Sequence, residues 1–317
     1  MNRNLALDVV RVTEAAALFA SRFVGRGDES LGNRSAIDAM KKIFSTVPIN
    51  GRIISEKINP GDTTLQRGTE VGNKEGPEVD IVLDPLDGRS TCASGGHNAI
   101  SAIAIGDRED FLNAPAIYME KIAVGSEAKG VIDITQTPEI NIKRVARAMH
   151  KYIEDVTVCI LDRERHKELI EEIRKVGARI ILINDGDISG VVAAAMQDKQ
   201  IDILMGIGGA MEGVMASAAI LCLGGDIQAR FVYRNDDDRD KAKQSGIKDL
   251  NKIYTLHDLA KGDNIMFSAT GVTDGELLSG VRFFSGGAKT NSIVMRSKTH
   301  TVRFITTMHY FDYKPMY

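Results

Sequence analysis

The amino-acid sequence predicts an α/β protein, because strand and helix patterns alternate along much of the chain. After about residue 140, strand-like apolar runs at 156–161, 179–183 and 201–207 alternate with helical patterns. Such alternation is typical of right-handed βαβ units that form a parallel sheet. With 317 residues and a hydrophobic fraction of 43%, the chain is long enough for two domains or one large α/β unit.

Local patterns predict the other elements. Apolar residues recur with helical spacing over 4–24 and over 35–45, which predicts two amphipathic helices. The segment 55–78 is rich in glycine, proline and charge, so we expect a long loop, a kind of segment that is often functional. Further strands are predicted at 52–54, 79–83, 99–105, 264–269, 292–296 and 301–306.

Composition and charge exclude several classes of protein. The 40 basic residues face 43 acidic ones without a long basic run, which argues against a nucleic-acid partner. No apolar stretch reaches about 18 residues and the opening segment has no signal-peptide pattern, so we expect a cytoplasmic protein with no membrane partner. Cys92, Cys159 and Cys222 are too few and too widely spaced for a disulfide framework or a zinc site.

Acidic turns follow three of the predicted strands. Asp84 and Asp87 lie in the turn Asp-Pro-Leu-Asp-Gly that ends at Gly88, and Asp185, Asp187 and Glu212 follow later strands. Ligands of open α/β sheets bind beyond the carboxyl ends of the strands, so these side chains are predicted to line one cleft. Carboxylate and carbonyl oxygens suit magnesium or manganese rather than zinc. Taken alone, the first turn is about equally compatible with metal binding and with a structural role, in which one aspartate caps a helix and the other lies in the turn.

Motifs over nearly the whole chain, in the same order, resemble class II fructose-1,6-bisphosphatases of the lithium-sensitive sugar-phosphatase superfamily. Besides Asp84-Pro85-Leu86-Asp87-Gly88, the matching segments are Leu5-Ala6-Leu7, Arg11-Val12-Thr13-Glu14-Ala15-Ala16, Gly25-Arg26-Gly27-Asp28, Phe111-Leu112-Asn113-Ala114-Pro115, Tyr118-Met119-Glu120-Lys121, Asp185-Gly186-Asp187, Gly208-Gly209-Ala210-Met211-Glu212-Gly213, Phe267-Ser268-Ala269-Thr270-Gly271 and Ser292-Ile293-Val294-Met295-Arg296-Ser297-Lys298. The resemblance implies a layered αβαβα fold. It further implies a metal-binding α+β half at 1–140 and a substrate-binding α/β half at 141–317.

The resemblance also implies a site for Mn²⁺ or Mg²⁺ that departs from the family pattern. The implied metal ligands are Asn33, Glu56, Asp84, Asp87 and Glu212. Asn33 stands where the family has an aspartate, and Glu29 stands where it has a lysine. Ile58 replaces the second glutamate of a Gly-Glu-Gly-Glu loop. One expected carboxylate is therefore an amide and another is absent.

Arg89 is a second departure, since the family has at this position a threonine that helps to activate water. A guanidinium cannot accept a proton at neutral pH, although it can bind phosphate or place its own charge at a vacant metal position. The predicted catalytic residues are Asp84, Asp87, Arg89 and Ser90. Thr91 and His97 are alternatives for the activation of water.

The substrate-binding residues are better matched to the family. Arg163 and Arg165 correspond to a phosphate-holding pair, and two guanidiniums suit bidentate phosphate recognition. Without the resemblance, exposed charges at a helix start would be the favoured interpretation of this pair. The complete predicted set is Asp87, Gly88, Arg89, Tyr118, Arg163, Arg165, Asp185, Asp187 and Gly209.

The activity that the resemblance implies is metal-dependent hydrolysis of the 1-phosphate of fructose 1,6-bisphosphate to fructose 6-phosphate, a step of gluconeogenesis. A weakly active or inactive paralog that binds sugar phosphates or regulates a partner enzyme is the main alternative, because the metal site is altered. A sedoheptulose bisphosphatase and an inositol-type phosphatase are further alternatives. The expected partner is a small sugar bisphosphate, and the expected assembly is a homodimer or homotetramer.

Overall fold

The computed structural model of the protein describes residues 5–55 and 65–313. The helices are α1 (Leu5–Ala20), α2 (Glu29–Phe44), α3 (Arg89–Ser94), α4 (Pro138–Ala148), α5 (Lys167–Val176), α6 (Asp187–Ala194), α7 (Ala210–Leu223), α8 (Asp236–Gln244) and α9 (Leu256–Leu259). The strands are β1 (Asn50–Ile53), β2 (Glu70–Val71), β3 (Glu78–Asp87), β4 (Ile100–Asp107), β5 (Tyr118–Val124), β6 (Thr157–Leu161), β7 (Arg179–Ile183), β8 (Ile203–Gly209), β9 (Asp226–Val232), β10 (Tyr254–Thr255), β11 (Met266–Gly271), β12 (Arg282–Phe284), β13 (Gly287–Arg296) and β14 (Thr301–Tyr310).

The second helix begins earlier than its apolar pattern predicts. Asp28 caps α2, because its carboxylate accepts hydrogen bonds from the backbone amides of Ser30 and Leu31, each at 2.9 Å. A side-chain oxygen in this position satisfies amides that have no partner inside the helix. The cap adds a first turn that carries Glu29, followed by Asn33 one turn later.

The strands of the described residues form two mixed sheets. Their orders are β12-β13-β11-β4-β3-β1-β2, with β14 pairing β13, and β10-β9-β5-β8-β6-β7. The prediction of one parallel sheet is wrong in its extent. Among the strands within residues 5–55 and 65–313, only β1–β3, β6–β7 and β6–β8 pair in parallel, whereas β3 runs antiparallel to β4 and β5 runs antiparallel to β8.

Three hydrophobic clusters show how the layers stack. One cluster joins α1 and α2 to an outer face of the first sheet, and another joins α4 and α5 to the outer face of the second sheet. The third cluster contains α6 and α7 and packs against both sheets. This order of layers confirms the predicted αβαβα fold.

Both sheets draw strands from either side of residue 140. β5 (118–124) belongs to the second sheet, and β11 to β14 (266–310) belong to the first. The division into a metal-binding half and a substrate-binding half at residue 140 therefore stays a prediction. Among the helices within the described ranges, none combines the length and the apolar character needed to cross a bilayer.

Candidate active site

A β-bulge on β3 aims two acidic side chains at one cleft. Asp84 pairs with Ala102 and Asp87 pairs with Ile100. The first two residues are three positions apart on β3, whereas their partners are only two positions apart on β4. Residues three apart in a regular strand point to opposite faces, and one extra residue removes that alternation. Both carboxylates consequently line the same cleft, and Asp84 Oδ1 accepts the backbone amide of Leu86 at 3.1 Å.

A glycine in the left-handed region ends the bulged strand. Gly88 has φ = +89°, and a Cβ built on it would lie 2.7 Å from Thr91 Oγ1 and 3.0 Å from the Cα of Ala99. Only glycine fits this conformation and space without strain. The chain then enters α3, which begins at Arg89 and places that side chain in the wall of the cleft.

The two hydroxyls of α3 have different partners. Ser90 Oγ donates to Asp185 Oδ2 at 2.9 Å, so Ser90 lies at the edge of the cleft. Thr91 Oγ1 donates to the Gly88 carbonyl at 2.9 Å, and the Thr91 side chain is buried. Of these two hydroxyls, that of Ser90 is the one bonded to a residue of the cleft lining.

The cleft is formed where the ends of the two sheets meet. Asp185 and Asp187 follow β7, and the backbone amide of Ile188 in the first turn of α6 donates to Asp87 Oδ2 at 3.2 Å. A carboxylate beside a helix N-terminus is stabilised by the unpaired amides there. This contact, together with the bond from Ser90 to Asp185, fastens the second sheet to β3.

Glu212 completes the acidic wall from the first turn of α7. A Cβ built on Gly209 would lie 1.9 Å from Glu212 Oε2, so the carboxylate lies directly over the glycine at the start of that helix. The predicted convergence of the three acidic turns is thus confirmed by the geometry. Its cause is the meeting of two mixed sheets rather than one continuous parallel edge.

The cleft has a volume of about 320 Å³. Burial raises the pKa of Asp87 well above the ordinary carboxyl value, and the charges of the neighbouring carboxylates, Asp84 foremost, raise it further. A cation among these side chains would relieve that repulsion. The lining residues are Glu29, Asp84, Leu86, Asp87, Gly88, Arg89, Tyr118, Leu161, Arg163, Arg165, Asp185, Asp187, Gly208, Gly209 and Glu212.

Another part of the cleft lining, the basic wall, carries arginines. Arg163 and Arg165 line it, and Arg165 donates from Nε and Nη2 to the Ile207 carbonyl at 3.1 and 2.7 Å. The ring of Tyr118 lies between two guanidiniums, with the Cζ of Arg165 5.1 Å and the Cζ of Arg234 4.7 Å from its centre. Stacking of this kind limits the motion of both Tyr118 and Arg165.

A buried histidine anchors the arginine-bearing segment. His166 Nδ1 lies 2.7 Å from the Leu161 carbonyl, and the Ile207 amide donates to His166 Nε2 at 2.7 Å. These two bonds require the neutral ring with its proton on Nδ1. Burial lowers the pKa of His166, which favours that neutral form. His166 therefore holds Arg163 and Arg165 against β8.

Two other residues considered from the sequence, Asn33 and His97, are not among the described residues that line the cleft. Asn33 is 3% exposed on α2, and within the described ranges its Oδ1 has no hydrogen-bond partner. His97 lines a separate depression beside Asp274 and Arg282, and its role in the activation of water stays a prediction. Glu56 and Ile58 lie outside the described residues.

The donor atoms of the acidic wall are of the kind that binds a divalent cation. Its donors are hard carboxylate oxygens, and the raised pKa of Asp87 shows that negative charge is concentrated there. In the described part of the chain, however, no three His, Cys, Asp or Glu side chains have the arrangement of a formed metal site.

The sequence analysis missed two contributors to the site. Lys121 is 2% exposed and contacts Asp187, and its signal was a lysine at a position that alternates with the apolar residues Met119 and Ala123 on one face of β5. Arg234 stacks on Tyr118 while Asp238 accepts two hydrogen bonds from its guanidinium. Its position beside Tyr118 depends on the pairing of β5 with β9, which no local pattern reveals.

Comparisons with known proteins place the chain beside sugar bisphosphatases. A family model described as bacterial fructose-1,6-bisphosphatase, glpX-encoded, matches residues 3–309. A class 2 fructose-1,6-bisphosphatase from Haemophilus influenzae is 40% identical over an alignment that covers 98% of each chain. A D-fructose 1,6-bisphosphatase class 2/sedoheptulose 1,7-bisphosphatase from Synechococcus sp. (strain JA-2-3B'a(2-13)) is 39% identical and aligns over 98% of this chain and 97% of its own length.

Proposed function

Because this chain belongs to the glpX-encoded bacterial fructose-1,6-bisphosphatase family, we propose that it hydrolyses the 1-phosphate of fructose 1,6-bisphosphate to give fructose 6-phosphate. One observation carries the proposal: a single cleft has an acidic wall with Asp84, Asp87 and Glu212 and a basic wall with Arg163 and Arg165. A bisphosphate requires two different phosphate sites. The acidic wall suits a metal-bound reacting phosphate, and the basic wall suits a phosphate that is only held.

The residues that would hold Mn²⁺ or Mg²⁺ are Asp84, Asp87 and Glu212, with Glu56 and Asn33 as further ligands inferred from the resemblance. Such ions polarise a phosphoryl oxygen and lower the pKa of a bound water. Asp87 is fixed for this purpose by the Ile188 amide. Asp84 is fixed by the amide of Leu86.

The remaining polar groups orient the sugar. We assign the held phosphate to Arg163 and Arg165, because guanidiniums bind phosphate oxygens in a fixed, bidentate geometry. Asp185 and Asp187 are suited to accept hydrogen bonds from sugar hydroxyls. Gly88 and Gly209 line the cleft at two of its backbone turns, so a ligand can approach the main chain there.

Proton transfer at the reacting phosphate needs a group other than Arg89. Ser90 lies at the cleft edge with its hydroxyl donating to Asp185 Oδ2 at 2.9 Å, which gives that hydroxyl a nearby proton acceptor. We assign the positioning of the attacking water to Ser90, and phosphate binding to Arg89. The presence of Arg89 and Asn33 is what favours the second candidate, a weakly active paralog that binds sugar phosphates or regulates a partner enzyme.

Measurement of phosphate release while Mn²⁺ is titrated tests the proposal. We expect hydrolysis of fructose 1,6-bisphosphate that depends on added metal, with sedoheptulose 1,7-bisphosphate and inositol 1-phosphate as comparison substrates. Binding of fructose 6-phosphate without metal-dependent release would support the paralog instead. A preference for inositol 1-phosphate would contradict the assignment of a second phosphate to the basic wall. The cytoplasmic location and the homodimer or homotetramer stay predictions.

We expect the Arg165→Ala variant to raise KM for fructose 1,6-bisphosphate roughly tenfold or more, because a lost charge-assisted hydrogen bond costs about 1.5–3 kcal/mol. Hydrolysis of a small monophosphate such as p-nitrophenyl phosphate should change much less. Steady-state kinetics on both substrates measures the difference. The control is Arg174→Ala, which removes an exposed arginine from α5. Equal losses on both substrates would show that Arg165 does not hold the remote phosphate.

A further inference from the structure

A buried lysine lies beneath the proposed sugar site. Lys121 belongs to β5, where the neighbouring residues Met119 and Ala123 share its face and are buried in the central hydrophobic cluster. The side chain of Lys121 is 1% exposed, so its ammonium has left bulk water almost completely. A charge in such a place is costly unless a counter-charge and hydrogen-bond acceptors surround it.

The acceptors of Lys121 belong to the two turns that form the cleft. Its Nζ donates to Asp187 Oδ2 at the start of α6, and to the Gly209 carbonyl at 3.2 Å just before α7. Asp187 is also largely buried, with a side-chain exposure of 10%. One ammonium therefore joins β5 to the starts of α6 and α7, two of the helices that border the cleft.

Two glycines make room for this lysine. A Cβ built on Gly208 would lie 2.2 Å from Asp187 Oδ2 and 2.8 Å from Lys121 Nζ. A Cβ built on Gly213 would lie 3.2 Å from Lys121 Cδ. The head and the stem of Lys121 thus pass through space that a larger residue at Gly208 would occupy.

We propose that Lys121 is a positioning residue for sugar recognition, which fixes the Asp187 carboxylate and the Gly209 turn in their binding geometry. The inference rests on the proposed function. With Oδ2 of Asp187 held by the ammonium, the second carboxylate oxygen is oriented to accept a sugar hydroxyl. Without Lys121, repulsion from Asp87 and its acidic neighbours would turn Asp187 away. Lys121 acts on the sugar through Asp187 and touches no reacting atom.

The experiment compares equilibrium binding by wild-type protein and Lys121→Met, whose side chain has a similar length without the charge. Isothermal titration calorimetry measures Kd for fructose 6-phosphate and for inorganic phosphate. We expect fructose 6-phosphate to bind at least about tenfold more weakly to the variant, since a charge-assisted contact is misplaced. Inorganic phosphate should change less than about twofold. The matched control is Lys151→Met, which removes a lysine paired with the buried Asp202 away from the cleft.

A double-mutant cycle with Asp187→Asn separates positioning from general stability. If Lys121 acts through Asp187, Lys121→Met should cause almost no further loss of fructose 6-phosphate affinity in the Asp187→Asn background. Additive losses, or equal losses for fructose 6-phosphate and inorganic phosphate, would overturn the inference. If Lys121→Met does not fold, Gly208→Ala provides the test, because its Cβ should displace the same carboxylate with the same selective loss.

Different experimental results would contradict the role of Lys121 and the proposed function. Normal fructose 6-phosphate binding by Lys121→Met would overturn the role of Lys121 and leave the proposed function intact. Wild-type protein that binds fructose 6-phosphate without hydrolysing the bisphosphate would contradict the enzyme and leave the role of Lys121 standing. Wild-type protein that does not bind fructose 6-phosphate would overturn the role of Lys121, and phosphate release from the bisphosphate would still decide the proposed function.

Discussion

The Asp84→Asn variant is expected to release phosphate from fructose 1,6-bisphosphate at least about a hundredfold more slowly than the unaltered protein at saturating Mn²⁺. Asp84 is 3% exposed, lines the cleft and accepts the Leu86 amide, a bond that an amide oxygen also accepts. The replacement therefore keeps the bulge while removing one negative charge from the acidic wall. Loss of about 3 kcal/mol of electrostatic stabilisation corresponds to roughly a hundredfold in rate.

Steady-state phosphate release measures this effect, and circular dichroism checks that the variant is folded. The matched control is Asp107→Asn, which makes the same change at the exposed end of β4, away from the cleft. We expect that control to retain its activity within about twofold. If Asp84→Asn keeps the same metal dependence and a rate within about threefold of the unaltered protein, Asp84 does not hold the ion.

The fold was largely predictable because its signals are local. The strands at β6, β7 and β8 and the helices between them follow from hydrophobic periodicity, and their parallel pairing was correctly predicted. The antiparallel direction of β4 and β5 was not, because strand direction depends on long-range pairing that periodicity does not encode. The early start of α2 carried a signal, the cap at Asp28, that the apolar pattern alone overlooked.

The site residues could be predicted where they share one short turn. They could not be predicted where their proximity depends on the pairing of strands that are distant in sequence. Asp84 and Asp87 could be recognised as neighbours, although the bulge that aims both at one cleft required the register of β3 against β4. Lys121 lies 66 positions from Asp187 in sequence, so nothing local joins them. His97 is close in sequence to the acidic turn but lines a separate depression, so proximity in sequence alone does not show which surface a loop side chain lines.

The altered positions change the charge of the site. Asn33 supplies an amide where the family has a carboxylate, and its buried Oδ1 has no partner among the described residues. Arg89 brings a guanidinium into the cleft wall. Like charges about 4 Å apart repel by about 4 kcal/mol at an effective dielectric near 20, so a full set of divalent ions is disfavoured next to Arg89. We therefore expect low activity that requires a high concentration of metal.

Restoring the family residues tests this account. We expect the triple variant Arg89→Thr, Asn33→Asp and Ile58→Glu to bind Mn²⁺ roughly tenfold more tightly or better and to raise kcat at the same time. Single replacements should have smaller effects, because residues that act on one cluster of ions are not additive. Calorimetric titration with Mn²⁺ measures the affinity independently of turnover, and phosphate release measures kcat.

Thermal unfolding is a third measurement on the triple variant. The expected change in Tm has opposite signs in the absence and in the presence of Mn²⁺. Without metal, the added carboxylates should lower Tm, because they increase the repulsion that already raises the pKa of Asp87. With Mn²⁺, Tm should rise further than in the unaltered protein, since tighter binding to the folded state stabilises it more. Arg174→Thr on α5 is the control for loss of a positive charge outside the cleft. If the unaltered protein already turns over at about 10 per second, the metal site is competent as it stands and Ser90 has replaced the family threonine.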